Sequence, residues 1–427
     1  MIGIVLLFIV AFILEVPPII PKVLLLVLVT TVFVDAFILF RYGDGLKGMR
    51  VLAEKLSNGD ENTVKIVLEN GYPFSINVTL LDEIPHQFQI RDLKFVLTLL
   101  PGESKTLKYF LRPVKRGEYS FGAINALSSS PLRLVYRRFN FSSGKNVPVY
   151  PSYIQMRKYE LMAISNRLNE LGIKKIRRIG HQMEFESIKE YIIGDDFRTI
   201  NWKATARKSS LMVNHYQDEK SQQVYCLIDK GRVMQMPFDG MSLLDYAINA
   251  SLVVSNIAIK KSDKAGLITF QDKIGTTLMA SNRNNQMAQI LEILYNQKTG
   301  YRETDFSSLF IHIRRTLTQR SLLLLFTNFE SVYGLQRQLP YLKNLARIHL
   351  VVVIFFENTE LEKLILEPAQ GLKGVYQKVV GEKFKYDKKL IFNELSKNGI
   401  QTVLTSPQKL TVATLNKYLE LKARGLI

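Results

Sequence analysis

Two apolar runs at the start of the chain constrain it more than anything that follows. Ile2 to Leu14 carries no charge, Glu15 and Pro17-Pro18 interrupt, and Val23 to Phe40 holds Asp35 as its single charge. The second run suits a helix crossing the hydrocarbon, which needs ~20 apolar residues with some slack. The first reaches that length only by continuing through Pro17 to Ile20, with the prolines bending it near an interface. A transmembrane helical hairpin over residues 1–41 is therefore expected. A cleavable signal peptide is disfavoured: no basic region precedes the first run, no small-x-small cleavage site follows it, and a second apolar segment comes at once. A buried hairpin of a soluble protein is disfavoured because neither run has a polar face. Asp35 is costly in lipid and marks a helix contact or a headgroup. Arg41, Lys47 and Arg50 follow the second run, whereas the connection offers only Lys22. Excess Lys and Arg stay on the cytoplasmic side, so the chain is expected in a bacterial inner (cytoplasmic) membrane with its soluble domains facing the cytoplasm.

The 427 residues exceed what one core holds, so further domains must follow the membrane end. From about Val51 to Pro151 the signals are those of short strands: Thr63 to Leu68 alternates, Asn70-Gly71-Tyr72-Pro73 turns, and Ser75 to Leu80 alternates again. Lys94 to Leu99, Ser104 to Leu111 and Val147 to Tyr150 read the same way, and together they imply a small antiparallel β-sandwich over residues 50–151. Arg112 to Gly122 mixes three basic residues with two aromatics. It reads either as a nucleic-acid surface or, preferably, as an edge hairpin protected by solvated charge.

After Gln223 strands alternate with helices. The strands are Val224 to Asp229, Ala265 to Phe270, Leu322 to Thr327, Ile348 to Phe356 and Thr402 to Thr405; helices are expected near 242–261, 285–297, 335–346 and 411–422. Apolar strands in that order imply a mostly parallel sheet covered on both faces, with ligands beyond the carboxyl ends of the strands. Cys226, the sole cysteine, lies in such a run; it excludes a disulfide framework or a four-cysteine metal site and reads as a buried strand residue.

The stretch from Gly180 to Arg207 bears a specific pattern: Glu184-Phe185, Glu190-Tyr191, Gly194-Asp195-Asp196, Arg198, Ile200-Asn201-Trp202-Lys203 and Ala206-Arg207. It closely resembles the signature of the bacterial family catalogued as domain of unknown function fifty-eight. The resemblance covers most of the chain, since hairpin, sandwich and C-terminal domain occur in the same order. It implies a von Willebrand factor A-like α/β domain of Rossmann type over residues 222–427, with residues 152–221 as the signature segment. It also implies a partner, a MoxR-type AAA+ ATPase, and supplies no reaction. Read on their own chemistry, Asp195 and Asp196 are either paired carboxylates for acid-base work or, preferably, caps accepting backbone N–H bonds within an ion-paired network around Trp202. Glu190, Asp195, Asp196, Arg198, Trp202 and Arg207 are the candidate partner-binding residues, because Arg and Trp dominate interface energetics.

The implied fold carries a metal-ion-dependent adhesion site of pattern Asp-x-Ser-x-Ser, a threonine and a second aspartate. Here the turn reads Asp229-Lys230-Gly231-Arg232-Val233, so both serines are replaced; Thr304 matches the threonine, and Asn328 stands where the aspartate would. Magnesium needs near-octahedral oxygen ligands with enough negative charge to offset dehydration. One carboxylate beside Lys230 and Arg232 falls short, so a degenerate site with no cofactor is expected. No phosphate-cradling loop, Gly-x-Ser-x-Gly or His-Glu-x-x-His occurs, and His86, His181, His215, His312 and His349 lack ligand spacing. The expectation is a non-enzymatic, membrane-anchored scaffold. The alternative follows from the net charge of +19: a membrane-tethered protein binding anionic lipid, nucleic acid or another anionic partner.

Overall fold

The computed structural model describes residues 9, 12–13, 19–91, 93–141, 144–164, 184–193, 195, 197–217, 221–366, 368 and 371–426. The chain divides into two compact units, Met1–Tyr150 and Pro151–Ile427.

The first unit opens with α1 (Ile19–Arg41), which among the described residues is the helix long and apolar enough to cross a membrane. The earlier run, expected as the other half of a hairpin, lies outside the described residues except at positions 9, 12 and 13. Ile19 and Ile20, counted as a possible extension of that run, instead open α1. Asp35 is 1% exposed, and its Oδ2 accepts the backbone N–H groups of Leu134 at 3.2 Å and Val135 at 3.0 Å. The last four carbonyls of a helix lack partners within it. Here the Arg137 guanidinium donates to the Leu39 carbonyl at 2.9 Å, to Tyr42 at 2.6 Å and to Gly43 at 3.1 Å, and Tyr72 Oη donates to Leu39 at 2.8 Å. The final turns of α1 are thus built into the β-rich region.

That region comprises β1 (Leu46–Val51), β2 (Asn62–Asn70), β3 (Ile76–Asp82), β4 (Lys94–Leu99), β5 (Ser104–Leu111), β6 (Gly117–Phe121), β7 (Ile124–Ser129), β8 (Tyr136–Phe141) and β9 (Lys145–Tyr150). They form antiparallel sheets in the orders β1-β2-β5 and β4-β3-β7-β8, while β9 lies between β6 and the short parallel strand Leu56–Ser57. Period-two burial, with Val64, Ile66 and Leu68 inward on β2 and Ile76, Val78 and Leu80 inward on β3, gives the sheets one shared core. The Arg112 to Gly122 stretch supplies edge strand β6. Its aromatics, Tyr119 and Phe121, are 2% and 1% exposed, so they pack the core instead of offering faces for nucleobases.

The second unit begins with α2 (Tyr153–Ile164), β10 (Glu184–Glu190), α3 (Trp202–Lys208) and β11 (Met212–Gln217). It continues β12 (Gln223–Asp229), α4 (Leu243–Lys260), β13 (Lys264–Phe270), β14 (Ile274–Ser281), α5 (Gln286–Tyr295), α6 (Phe306–Thr316) and β15 (Leu322–Phe326). It ends α7 (Val332–Ile348), β16 (Leu350–Phe356), α8 (Thr359–Leu366), α9 (Gly371–Lys397), β17 (Gln401–Thr405) and α10 (Leu410–Ala423). The sheet runs β14-β13-β12-β15-β16-β17, parallel except for β14, which pairs antiparallel at the edge. α2, α4, α5 and α10 contribute to the core on one face, and α6, α7 and α9 to the core on the other. The sequence pattern had omitted β14 and α6, because β14 is half-exposed along its length and rich in Gly, Thr and Ser. α2, expected in a separate signature segment, packs with α4: Ser152 N–H donates to Asn249 at 2.9 Å, and Glu160 pairs with Lys260 at 2.9 Å. Cys226 is fully buried on β12, and burial pushes its thiol up to about 11.

Candidate functional site at the carboxyl edge of the sheet

The chain enters the sheet at β12 and places β13 on one side and β15 on the other. A strand order that reverses in this way opens a crevice beyond the carboxyl ends, where α/β proteins bind ligands. Asp229 ends β12 and Thr327-Asn328 follow β15, so topology alone brings Asp229, Thr304 and Asn328 to the lining of one small cavity of about 130 Å³.

Within it Asp229 is fully buried. Its Oδ1 accepts the Gly231 N–H at 2.8 Å and the Thr304 hydroxyl at 2.6 Å, and its Oδ2 accepts the Thr327 hydroxyl at 2.7 Å. Burial raises the carboxyl above its ordinary range, opposed by those three donors. Gly231 is required for this closure, since a Cβ there would collide with the Thr304 hydroxyl and stand 3.0 Å from Asp229 Oδ1. Thr304 thus occupies the space that a side chain at position 231 would take. Asn328 is engaged too, its Oδ1 accepting from Lys388 Nζ at 2.5 Å, while the same ammonium donates to the Phe329 carbonyl at 2.7 Å. Burial lowers Lys388 to about 8. With one carboxylate, both its oxygens hydrogen-bonded by the chain itself and an ammonium on the third ligand, this donor set does not fit magnesium. Among the described residues no three His, Cys, Asp or Glu side chains gather elsewhere as a metal would need.

Beside this lies a larger cavity of about 300 Å³, missed in the sequence because its walls come from segments far apart in the chain, among them the stretches that follow β12 and β15, the end of β16, and helices α8 and α9. Met236, Phe238, Phe356, Leu361 and Phe384 make it apolar, and Glu357 and Lys388 reach it. Burial, then the nearby Glu362 charge, raises the Glu357 carboxyl.

The signature segment builds a second, exposed feature. β10 pairs with β11, and Asn201 caps α3 by accepting the Ala204 N–H at 3.0 Å. Asp195 accepts the Ile192 N–H at 3.1 Å and lies 3.4 Å from Lys189 Nζ, which is turn-closing geometry. Glu190 ends β10, Arg198 lies in the short 3-10 turn Phe197–Thr199, and Arg207 lies in the last turn of α3. Asp196 falls outside the described residues. Trp202, expected inside an ion-paired network, is 70% exposed, and Ile192, Ile193 and Phe197 are 66%, 97% and 70% exposed. Sequence reasoning named Trp202 and the charged residues but missed Ile192, Ile193 and Phe197, although Ile192-Ile193 ahead of a Gly-Asp-Asp turn was their visible signal.

Residues 187–385 match a family model described as "Protein of unknown function DUF58". The matched stretch thus runs from β10 into α9 and includes both the exposed segment and the sheet edge. "Uncharacterized protein YeaD" of Bacillus subtilis (strain 168) is 27% identical over 184 residues, which is 41% of this chain and 45% of that protein. The alignment therefore spans less than half of the relative's length. BatB from Bacteroides thetaiotaomicron aligns over 48% of this chain and all of its own at 13% identity and a TM-score of 0.34. An aerotolerance-related membrane protein from Bacteroides fragilis aligns over the same shares at 12% identity and a TM-score of 0.30. Likeness at that level decides neither fold nor function.

Proposed function

We propose that this chain is a non-enzymatic scaffold anchored in the bacterial inner membrane, with its soluble units facing the cytoplasm. Its α/β unit is read as von Willebrand factor A-like with a degenerate, metal-free adhesion edge, and its partner as a MoxR-type AAA+ ATPase. One observation carries the reading: Ile192, Ile193, Phe197 and Trp202 stand exposed together within one short segment of the family-matched stretch. Large apolar side chains grouped on a surface are costly to keep in water, and Trp flanked by Arg is the composition of an interface anchor. The sheet edge supports a binding role over chemistry, because its central carboxylate is already held by three hydrogen bonds from Gly231, Thr304 and Thr327.

The test is affinity purification of the detergent-solubilised full chain with and without ATP, comparing wild type with Ile193→Asp and with a Trp202→Ala, Arg198→Ala double variant. Nucleotide-dependent recovery of an AAA+ ATPase with wild type and its loss with both variants is the expected result. Undiminished recovery with the variants overturns the assignment of this surface, and absence of any ATPase overturns the partner.

A further inference from the structure

The helical excursion between β16 and β17 carries two apolar faces where one would suffice. α8 and α9 meet at Gly381, whose absent side chain lets Ile365 and Leu361 approach to 3.2 and 3.3 Å of where a Cβ would be. That contact accounts for one face of α9. On another, Leu372, Val375, Tyr376 and Val379 recur at helical spacing and are 91%, 51%, 71% and 58% exposed. Leu366, at the end of α8, is 83% exposed. Between positions 363 and 383 the chain carries Lys363, Lys373, Lys378 and Lys383 against Glu367 and Glu382. Among the described residues Lys373, Lys378 and Lys383 make no ion pair, in contrast to Lys385, which pairs with Glu362 at 2.8 Å.

We infer that this exposed stripe of α9 lies in the headgroup region of a bilayer containing anionic lipid. The residue types discriminate between that surface and a protein. Protein interfaces are depleted in lysine and favour arginine, whereas interfacial membrane helices combine aliphatic and aromatic residues with lysines whose stems lie along the apolar surface while their ammonium groups reach phosphate. Lys373, Lys378 and Lys383 flank the stripe in that manner, and the excess of positive charge matches an anionic leaflet. Helix α1, apolar enough to cross a membrane, would hold the same chain at a bilayer and raise the local concentration of lipid. The inference is independent of the ATPase partner.

The experiment uses the full chain reconstituted into vesicles, with Tyr376→Trp as reporter and Trp202→Phe to remove the single natural tryptophan. Emission is compared in phosphatidylcholine vesicles and in mixtures with phosphatidylglycerol, each with and without brominated acyl chains. Bromine quenching confined to the phosphatidylglycerol mixtures is expected, its bound-to-free ratio falling about fivefold for each of Lys373→Gln, Lys378→Gln and Lys383→Gln. A Leu372→Ser, Val379→Ser variant, checked for folding by circular dichroism, should lose the quenching while keeping its helix content. Emission unaffected by bromine in either lipid overturns the proposal, as does equal quenching in phosphatidylcholine alone. A blue shift that depends on protein concentration in detergent would assign the stripe to a second copy and overturn it equally.

Discussion

Asp82 in the first unit and Asp229 in the second are both buried, and the two are satisfied in opposite ways. Asp82 in the β-rich region faces a cation: the Arg50 guanidinium grips it with two N–H groups, and the Tyr109 hydroxyl donates to it. Burial, then the Asp82 charge, pushes the Tyr109 phenol up. Asp229 in the α/β unit meets only neutral donors, two hydroxyls and one N–H, and its carboxyl is raised. A charge paired in the interior is expensive to break, whereas a carboxyl ringed by neutral donors has somewhere to go: it can take up a proton. The first arrangement is structural reinforcement. The second leaves Asp229 with no cation among its hydrogen-bond partners.

The largest effect should come from breaking the charged arrangement. Asp82→Ala strands a buried guanidinium and is expected to cost about 3–5 kcal/mol in denaturant unfolding of its unit. A loss under 1 kcal/mol would erase the contrast between the two aspartates. Asp229→Ala leaves three buried donors unpaired and should cost about 3 kcal/mol. A raised folded value means the native state holds its proton more tightly than the unfolded chain. The Asp229 contribution to stability should therefore be fully present below the ordinary carboxylate value and be lost as pH rises from there through the folded value. Asp229→Asn should flatten that fall, and an unchanged profile would show that Asp229 does not titrate as described.

Lys388 extends the comparison to a cation. Its folded value of about 8, against 10.5 ordinarily, means that wild-type stability should rise relative to Lys388→Met as pH climbs through that window, by about 1–3 kcal/mol. A difference independent of pH would remove Lys388 from the set of strained groups. Gly231→Ser restores the hydroxyl missing from the turn, yet it should displace Thr304 from Asp229 and cost about 1–3 kcal/mol, with no magnesium-dependent shift in melting temperature. Magnesium stabilisation of that variant would reopen the edge as a metal site. Smallest of all, Trp202→Ala should change stability by less than ~0.5 kcal/mol, as an exposed side chain does, so any loss of partner would be read as binding alone.

Much of the layout was legible because it rests on periodicity. α4 and β16 appear within two residues of their sequence-read limits, since a long apolar helix with Ser242 and Asp245 as a capping box and an unbroken Val-Ile-Phe strand admit few alternatives. β7 and β8 were not legible: Asn-Ala-Leu-Ser-Ser and Tyr-Arg-Arg-Phe carry weak strand preference, and β7 is held by a non-local pairing with β3, to which β8 adds as a hairpin partner. The exposed apolar stripe of α9 was hidden for a related reason. A helix with one face on α8 and another in solvent shows no single polar side.

The residues alone set the long apolar helix, the strand-rich middle, the alternation that demands a covered parallel sheet, and the Asp229-Lys230-Gly231 turn, because each follows from local composition or spacing. Only tertiary structure decided what the leftover polar groups do. It seated Asp35 on two backbone N–H groups about a hundred residues away, closed Thr304 over Gly231 onto Asp229, and placed the Lys388 ammonium on Asn328. A buried polar group must find its partner wherever the fold brings one, and sequence distance does not record that.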